Sequence, residues 1–129
     1  MTKNMQYEEL TKKIIAAAYN VYNKMGFGFL ESVYEKCLLI ELKKNGLRAE
    51  SQKPIIVKYE NEVVGEFKAD ILVEDTVILE LKSVRQLTQA HEVQLVNYLV
   101  ATGKPVGLIF NFGEQKVEVK RKVKELESN

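Results

Sequence analysis

The chain of 129 residues has a single cysteine, Cys37, which excludes an internal disulfide framework and any zinc site built from clustered cysteines. Cys37 lies in the apolar run Cys37-Leu38-Leu39-Ile40, where a buried thiol that packs rather than reacts is the expected habit. No apolar run approaches the ~20 residues of a membrane span. Residues Met1 to Glu9 are polar and contain no apolar signal region, so a cytoplasmic protein with no membrane partner is expected. The formal charge is only +1; no global field draws the chain to nucleic acid, and any such binding has to come from local patches. Repeats, low-complexity tracts and interdomain linkers are also missing. What is present is 46% hydrophobic and 29% charged residues, the composition of an ordinary globular protein with length for one domain and one core.

Hydrophobic spacing divides the chain into eight elements. Leu10, Ile14, Ala17, Ala18, Val21 and Met25 recur at helical intervals and predict an amphipathic helix over residues 6–25. Gly26-Phe27-Gly28 interrupts it. A second helix is expected from about Leu30 to Asn45, with Lys43 and Lys44 complementing its C-terminal dipole and Gly46 available as a left-handed cap. From Pro54 the period becomes that of strands, with Ile55 to Tyr59 and Val63 to Val73 flanking a turn at Glu60-Asn61-Glu62. Val77 to Ser83 reads as a third strand, and Leu87 to Thr102 as a helix stopped by Gly103 and Pro105. Val106 to Phe112 is a buried strand, and Val117, Val119 and Val123 mark a last one.

Asp70 closes one strand, and Glu80-Leu81-Lys82 lies on the next. Alternation puts Phe67, Ala69, Ile71 and Val73 on one side of the first strand, and Val77, Leu79 and Leu81 on one side of the second. If those apolar sides pair together in a hairpin, the numbers of facing residues must have an even sum. A sum of 150 sets Asp70 across from Glu80 and 148 makes them diagonal neighbours, either way with a three-residue turn near Glu74-Asp75. Facing Cβ atoms are ~5 Å apart, so both carboxylates can reach one Mg²⁺ or Mn²⁺ ion, for which hard oxygen donors are the fitting ligands. Lys82, on the same side as Glu80, could position water or neutralise developing charge. A solvated sheet face with cross-strand ion pairs is the alternative.

Two helices supply further candidates. Gly28 to Tyr34 has the form GxxExxY, and Glu31, Tyr34, Glu35 and Leu38 share a helical stripe. For Glu31 the plain alternative is complementarity to the helix dipole, and for Tyr34 core packing. His91, Gln94, Leu95 and Tyr98 share a face of the later helix, a mixture that calls for polar partners. His91 fits a hydrogen-bonded structural role better than a ligand or base, whereas Gln94 could hold a water or a phosphate oxygen.

With these motifs in this order, from about Tyr7 to Phe112, the chain resembles the GxxExxY family of the PD-(D/E)XK nuclease superfamily. The resemblance implies an α/β, restriction-endonuclease-like core, with a mixed central sheet flanked by helices in the order α-α-β-β-β-α-β-β, as one nuclease-like domain over residues 1–129. It implies metal ligation by Asp70 and Glu80 with Glu31 as an auxiliary acid, a catalytic Lys82, and Gln94 lining the site beside Tyr34, His91 and Tyr98. The implied activity is Mg²⁺-dependent phosphodiester hydrolysis, endo- or exonucleolytic, on DNA in repair, recombination or defence. The alternative is a non-catalytic nucleic-acid-binding or protein-interaction module on the same fold. Ala69 stands where the superfamily motif has proline.

Lys116, Lys120, Arg121, Lys122 and Lys124 make the last strand basic, interrupted by Glu118. Such a strip could follow phosphates, or guard an edge strand against aggregation. No sequence-reading module accompanies it, so any cleavage is expected to depend on nucleic-acid structure or a partner. Two strands to be cut would suit a homodimer.

Overall fold

The computed structural model describes residues 7–124. They form α1 (Glu8–Met25), α2 (Glu31–Lys44), β1 (Ala49–Tyr59), β2 (Glu62–Val73), β3 (Val77–Lys82), α3 (Gln89–Thr102), β4 (Val106–Phe112) and β5 (Val117–Val123), in the order expected from the sequence. The five strands make one mixed sheet in spatial order β1-β2-β3-β4-β5. All neighbours are antiparallel except β3 and β4, which run parallel because α3 carries the chain back between them.

The sheet separates two apolar layers. On one side Ile14, Ala18 and Val21 of α1 and Tyr34, Leu38 and Leu42 of α2 pack on Ile71, Leu79, Leu81, Leu108 and Phe110. On the other, Leu95, Tyr98 and Leu99 of α3 cover Ile55, Ala69, Leu72, Ile78 and Ile109. Strands β3 and β4 are therefore buried on both faces and read as continuous apolar runs, as parallel pairs do. Close approach of α3 depends on Gly107, where an added Cβ would lie 2.7 Å from a Leu95 methyl. Cys37 is half-buried and packs against the first layer.

Some local expectations need correction. The first hairpin has a two-residue turn, Glu60-Asn61, with Glu62 already paired to Tyr59. Both turn residues have positive φ, 49° and 69°, the backbone whose twist suits a hairpin. β1 begins at Ala49, before Pro54, whose missing N–H is tolerated on an edge strand. α3 begins at Gln89 because Thr88, extended at φ −112°, is its cap. Side-chain alternation in β2 is not continuous either: Ala69 and Leu72 both face α3, while Ile71 and Val73 face α1 and α2. The slip centres on Asp70, opposite Gln52, which has φ 54° and is absent from the β1–β2 ladder between the Ser51–Ile71 and Lys53–Ala69 pairs.

Among the described residues no helix is long and apolar enough to cross a membrane.

Candidate functional site

Pairing between β2 and β3 runs Val73–Val77, Leu72–Ile78, Ile71–Leu79, the register that sums to 150 around a three-residue turn. The ladder stops there, one step short of Asp70 and Glu80. Beyond it the main-chain donors turn to side chains: the Leu81 N–H donates to Asp70 Oδ2 at 2.7 Å, and the Asp70 N–H donates to Glu80 Oε2 at 3.3 Å. The strands splay, and the two carboxylates fill the fork by satisfying backbone groups that a longer ladder would have paired.

Burial and like charge act together on this pair. Glu80 is 8% exposed, and its carboxyl is pushed up to about 8, first by desolvation and then by the Asp70 charge; the Asp70 N–H and Lys82 offset this only in part. Asp70 is also raised, by desolvation, against the opposing effect of the Leu81 N–H. The fork thus concentrates negative charge that the polypeptide alone leaves undercompensated.

Lys82 shares the Glu80 side of β3, opposite Leu81, and lowers both carboxyls through its charge. Glu31, the first residue of α2, raises both, while its own Oε2 accepts the Ser83 N–H at 3.1 Å. Tyr98 closes the α3 side: its phenol is pushed up by burial and by the charges of Glu80 and Asp70. The fold therefore gathers Asp70, Glu80, Lys82, Glu31 and Tyr98 into one neighbourhood.

Tyr34 and His91 do structural work, and Gln94 stands one turn of α3 from Tyr98. Tyr34 is fully buried, stacks on Phe112 with centroids 4.3 Å apart, and donates from its hydroxyl to the Gly26 carbonyl at 2.6 Å. It fixes the loop before Glu31. His91 Nδ1 accepts the Thr88 N–H at 3.1 Å, the reciprocal half of a capping box with His in the usual Glu or Gln position. Gln94 is exposed in a groove between α3 and the β1–β2 hairpin, beside Phe67, Val93 and Tyr98.

The basic strip is divided. Lys122 is bound to Glu92 of α3 at 2.6 Å, and Lys120 also faces Glu92. Arg121 alternates to the opposite sheet face, and Lys116 lies in the turn before β5.

Two residues near the fork, Gln52 and Asn111, escape a reading of sequence, and Glu35 is drawn in only through the first of them. Gln52 donates to Glu35 Oε1 at 2.9 Å and also hydrogen-bonds Asp70, so Glu35, with its carboxyl raised by desolvation, joins the acidic neighbourhood. No local signal marks Gln52, because only tertiary pairing opposes it to Asp70. Asn111, 1% exposed, brackets Val84 by accepting its N–H at 2.9 Å and donating to its carbonyl at 2.8 Å. One amide within the apolar run Val106 to Phe112 was the available signal, since buried amides require partners. Asn111→Ala is expected to cost about 2–3 kcal/mol, because two part-buried main-chain groups lose their partner. Urea unfolding checks this as a lower midpoint with an unchanged slope.

As a donor set the fork suits a hard divalent cation: two carboxyl groups held by main-chain bonds, whose ionised forms a cation would stabilise. Among the described residues no three Asp, Glu, His or Cys side chains already form a metal cage. The two acids leave the remaining positions of such a shell to water and substrate.

A family model described as the PD-(D/E)XK nuclease superfamily matches residues 8–122. The crystal structure of SSO0001 is similar with a TM-score of 0.60 at 19% identity, over 95% of this chain and 62% of that one. At that identity the likeness concerns the fold alone, and this chain spans less than two thirds of the other's length. No curated protein matches. Family match and structural likeness agree on a restriction-endonuclease-like α/β fold.

Proposed function

The chain belongs to the PD-(D/E)XK nuclease superfamily, and from that premise we propose that it is a Mg²⁺- or Mn²⁺-dependent hydrolase of phosphodiester bonds in DNA, with Asp70, Glu80 and Lys82 at its centre. Membership implies a nucleic-acid substrate, and nucleases of the superfamily are generally dependent on divalent metal. The observation that carries the reading is the β2–β3 fork, where two carboxylates with raised protonation points lie beside one ammonium.

Asp70 and Glu80 would hold the ion, with Glu31 close enough in charge to assist. When bound it supplies charge neutralisation at a phosphoryl oxygen and makes water a better nucleophile. Lys82 offers its ammonium to the phosphate oxygens on which negative charge grows as water attacks and the leaving oxygen departs. Tyr98 walls the fork against bulk water, which strengthens each of these interactions. Gly28, Glu31 and Tyr34 support placement in the GxxExxY group. A cytoplasmic role in repair, recombination or defence, with a homodimer offering one centre to each strand, completes the proposal.

Calorimetric titration with Mn²⁺ tests the ligand assignment: binding is expected for the wild type and is lost in Asp70→Ala. Cleavage is then assayed on single-stranded, duplex, branched and RNA substrates with Mg²⁺ and Mn²⁺. Nucleic-acid binding without cleavage under either metal would move the chain to the non-catalytic reading.

A further inference from the structure

We propose that the loop from Gly26 to Leu30 is a stacking platform for an unpaired nucleobase next to the acidic fork, so that the substrate is single-stranded or carries a displaced base at the cleavage point. The inference rests on the nuclease reading and names the substrate class of that same site.

The loop exposes apolar side chains that the fold does not need to expose. Phe27 is 55%, Phe29 42% and Leu30 75% accessible, three neighbours within four residues. Their backbone is nevertheless held firmly. Tyr34 Oη donates to the Gly26 carbonyl and accepts the Phe29 N–H at 3.4 Å, and Ser83 Oγ donates to the Phe29 carbonyl at 3.2 Å. Gly26 and Gly28 adopt φ of 74° and 108°, conformations that other residues enter only with strain. A rigid backbone presenting exposed rings is preorganised for a ligand rather than slack.

Position identifies that ligand. The rings border a groove of about 540 Å³ whose lining includes Phe27, Phe29, Leu30, Glu31, Ser83, Arg85 and Glu114, a volume typical of small-ligand sites. Glu31 also acts on Asp70 and Glu80, and Ser83 directly follows Lys82. A phosphodiester at the fork therefore has its neighbouring nucleotide at this groove. Arg85 lines both this groove and an adjoining recess with Lys116, where Glu114 and Glu118 balance the two cations, so the recognition falls to the rings rather than to a basic path. Aromatic faces reward only a base whose own face is available, and in a duplex those faces are stacked on neighbouring pairs.

The chain contains no tryptophan, so Phe27→Trp creates a single indole reporter at the platform. In Ca²⁺ buffer, a 12-nucleotide oligo(dT) is expected to quench that indole, and a blunt duplex of equal length is not. By fluorescence anisotropy, Phe27→Ala/Phe29→Ala is expected to weaken oligo(dT) binding by about tenfold or more and duplex binding less than twofold. Should the double variant fail to fold by circular dichroism, the indole quench decides alone. Absence of quenching by oligo(dT), or equal losses on both ligands, overturns the platform while leaving a duplex nuclease intact. Binding of neither ligand by the wild type would instead sink the nuclease reading. A doubled mass in sedimentation, abolished in the double variant, would assign the patch to a second copy and also overturn the proposal.

Discussion

Glu80→Gln is expected to make the metal-free protein more stable than the wild type at pH 8, with little difference at pH 4.5. The sign follows from where Glu80 holds its proton. In the folded chain it releases it near pH 8, in the unfolded chain near its ordinary 4.5. Below 4.5 both states are protonated and the residue costs nothing. Between 4.5 and 8 the unfolded chain has released a proton that the folded one retains, so stability falls by about 1.4 kcal/mol per pH unit. Above 8 the loss is complete, on the order of 5 kcal/mol. Asp70, shifted upward for the same reason, adds to the decline. A glutamine has no charge to desolvate, and at pH 8 the variant should gain about 2–4 kcal/mol, the remainder reflecting a weaker acceptor for the Asp70 N–H. Urea midpoints from pH 4.5 to 8.5 in EDTA measure this; parallel curves for the two proteins would refute the buried-charge account. Mn²⁺ at pH 8 is expected to raise the wild-type midpoint by mass action and leave Glu80→Gln nearly unmoved. The substitution therefore separates stability from metal affinity: it improves the first and removes the second, the usual sign of a residue retained for function.

The same fork shows what a sequence can and cannot carry. The parity of the register around Glu74, Asp75 and Thr76 was legible because a one-residue slip exchanges the two faces of a strand, which left sums of 150 and 148 open, and the structure takes 150. The strand Val106–Phe112 was legible as a whole, with Pro105 before it and Gly113 after it. The slip at Asp70 was not, because it arises from a left-handed Gln52, a backbone state with little sequence signature outside Gly, Asn and Asp. This explains why Phe67 reaches Tyr98 across the α3 face, with ring centroids 5.5 Å apart, although alternation alone assigns it to the opposite layer. The residues chosen for their chemistry were specified unequally by the sequence for a related reason. Those on β2 and β3 were placed by a period of two over a short, well-buried pair. Gln94 was placed by a helical wheel that specifies a face but not which neighbour lies opposite it, and the neighbour is the hairpin groove. His91 fell to a capping role because Thr-x-x-His reproduces the reach of the usual capping pair.

Lys82→Ala should lower turnover by about 10²–10³ fold, the range for removal of one preorganised charge aimed at a developing anion, while Mn²⁺ affinity changes little. The second half of that expectation distinguishes its role from those of Asp70 and Glu80. Its charge already holds both carboxyls lower than burial alone would. Removing it makes the fork more electronegative, and at a pH high enough to ionise both acids calorimetry should find Mn²⁺ bound as tightly as in wild type or slightly tighter. The same loss lets Glu80 keep its proton to a still higher pH, so the pH at which metal binding sets in should move upward in Lys82→Ala. Lys82→Arg retains the charge but replaces a compact ammonium with a planar fork of different reach, and is expected to restore the pH profile of metal binding without restoring turnover. Single-turnover cleavage at saturating Mn²⁺ measures the chemical step apart from product release. Equal rates for wild type and Lys82→Ala would remove Lys82 from the reaction and leave it only the task of tempering two buried acids.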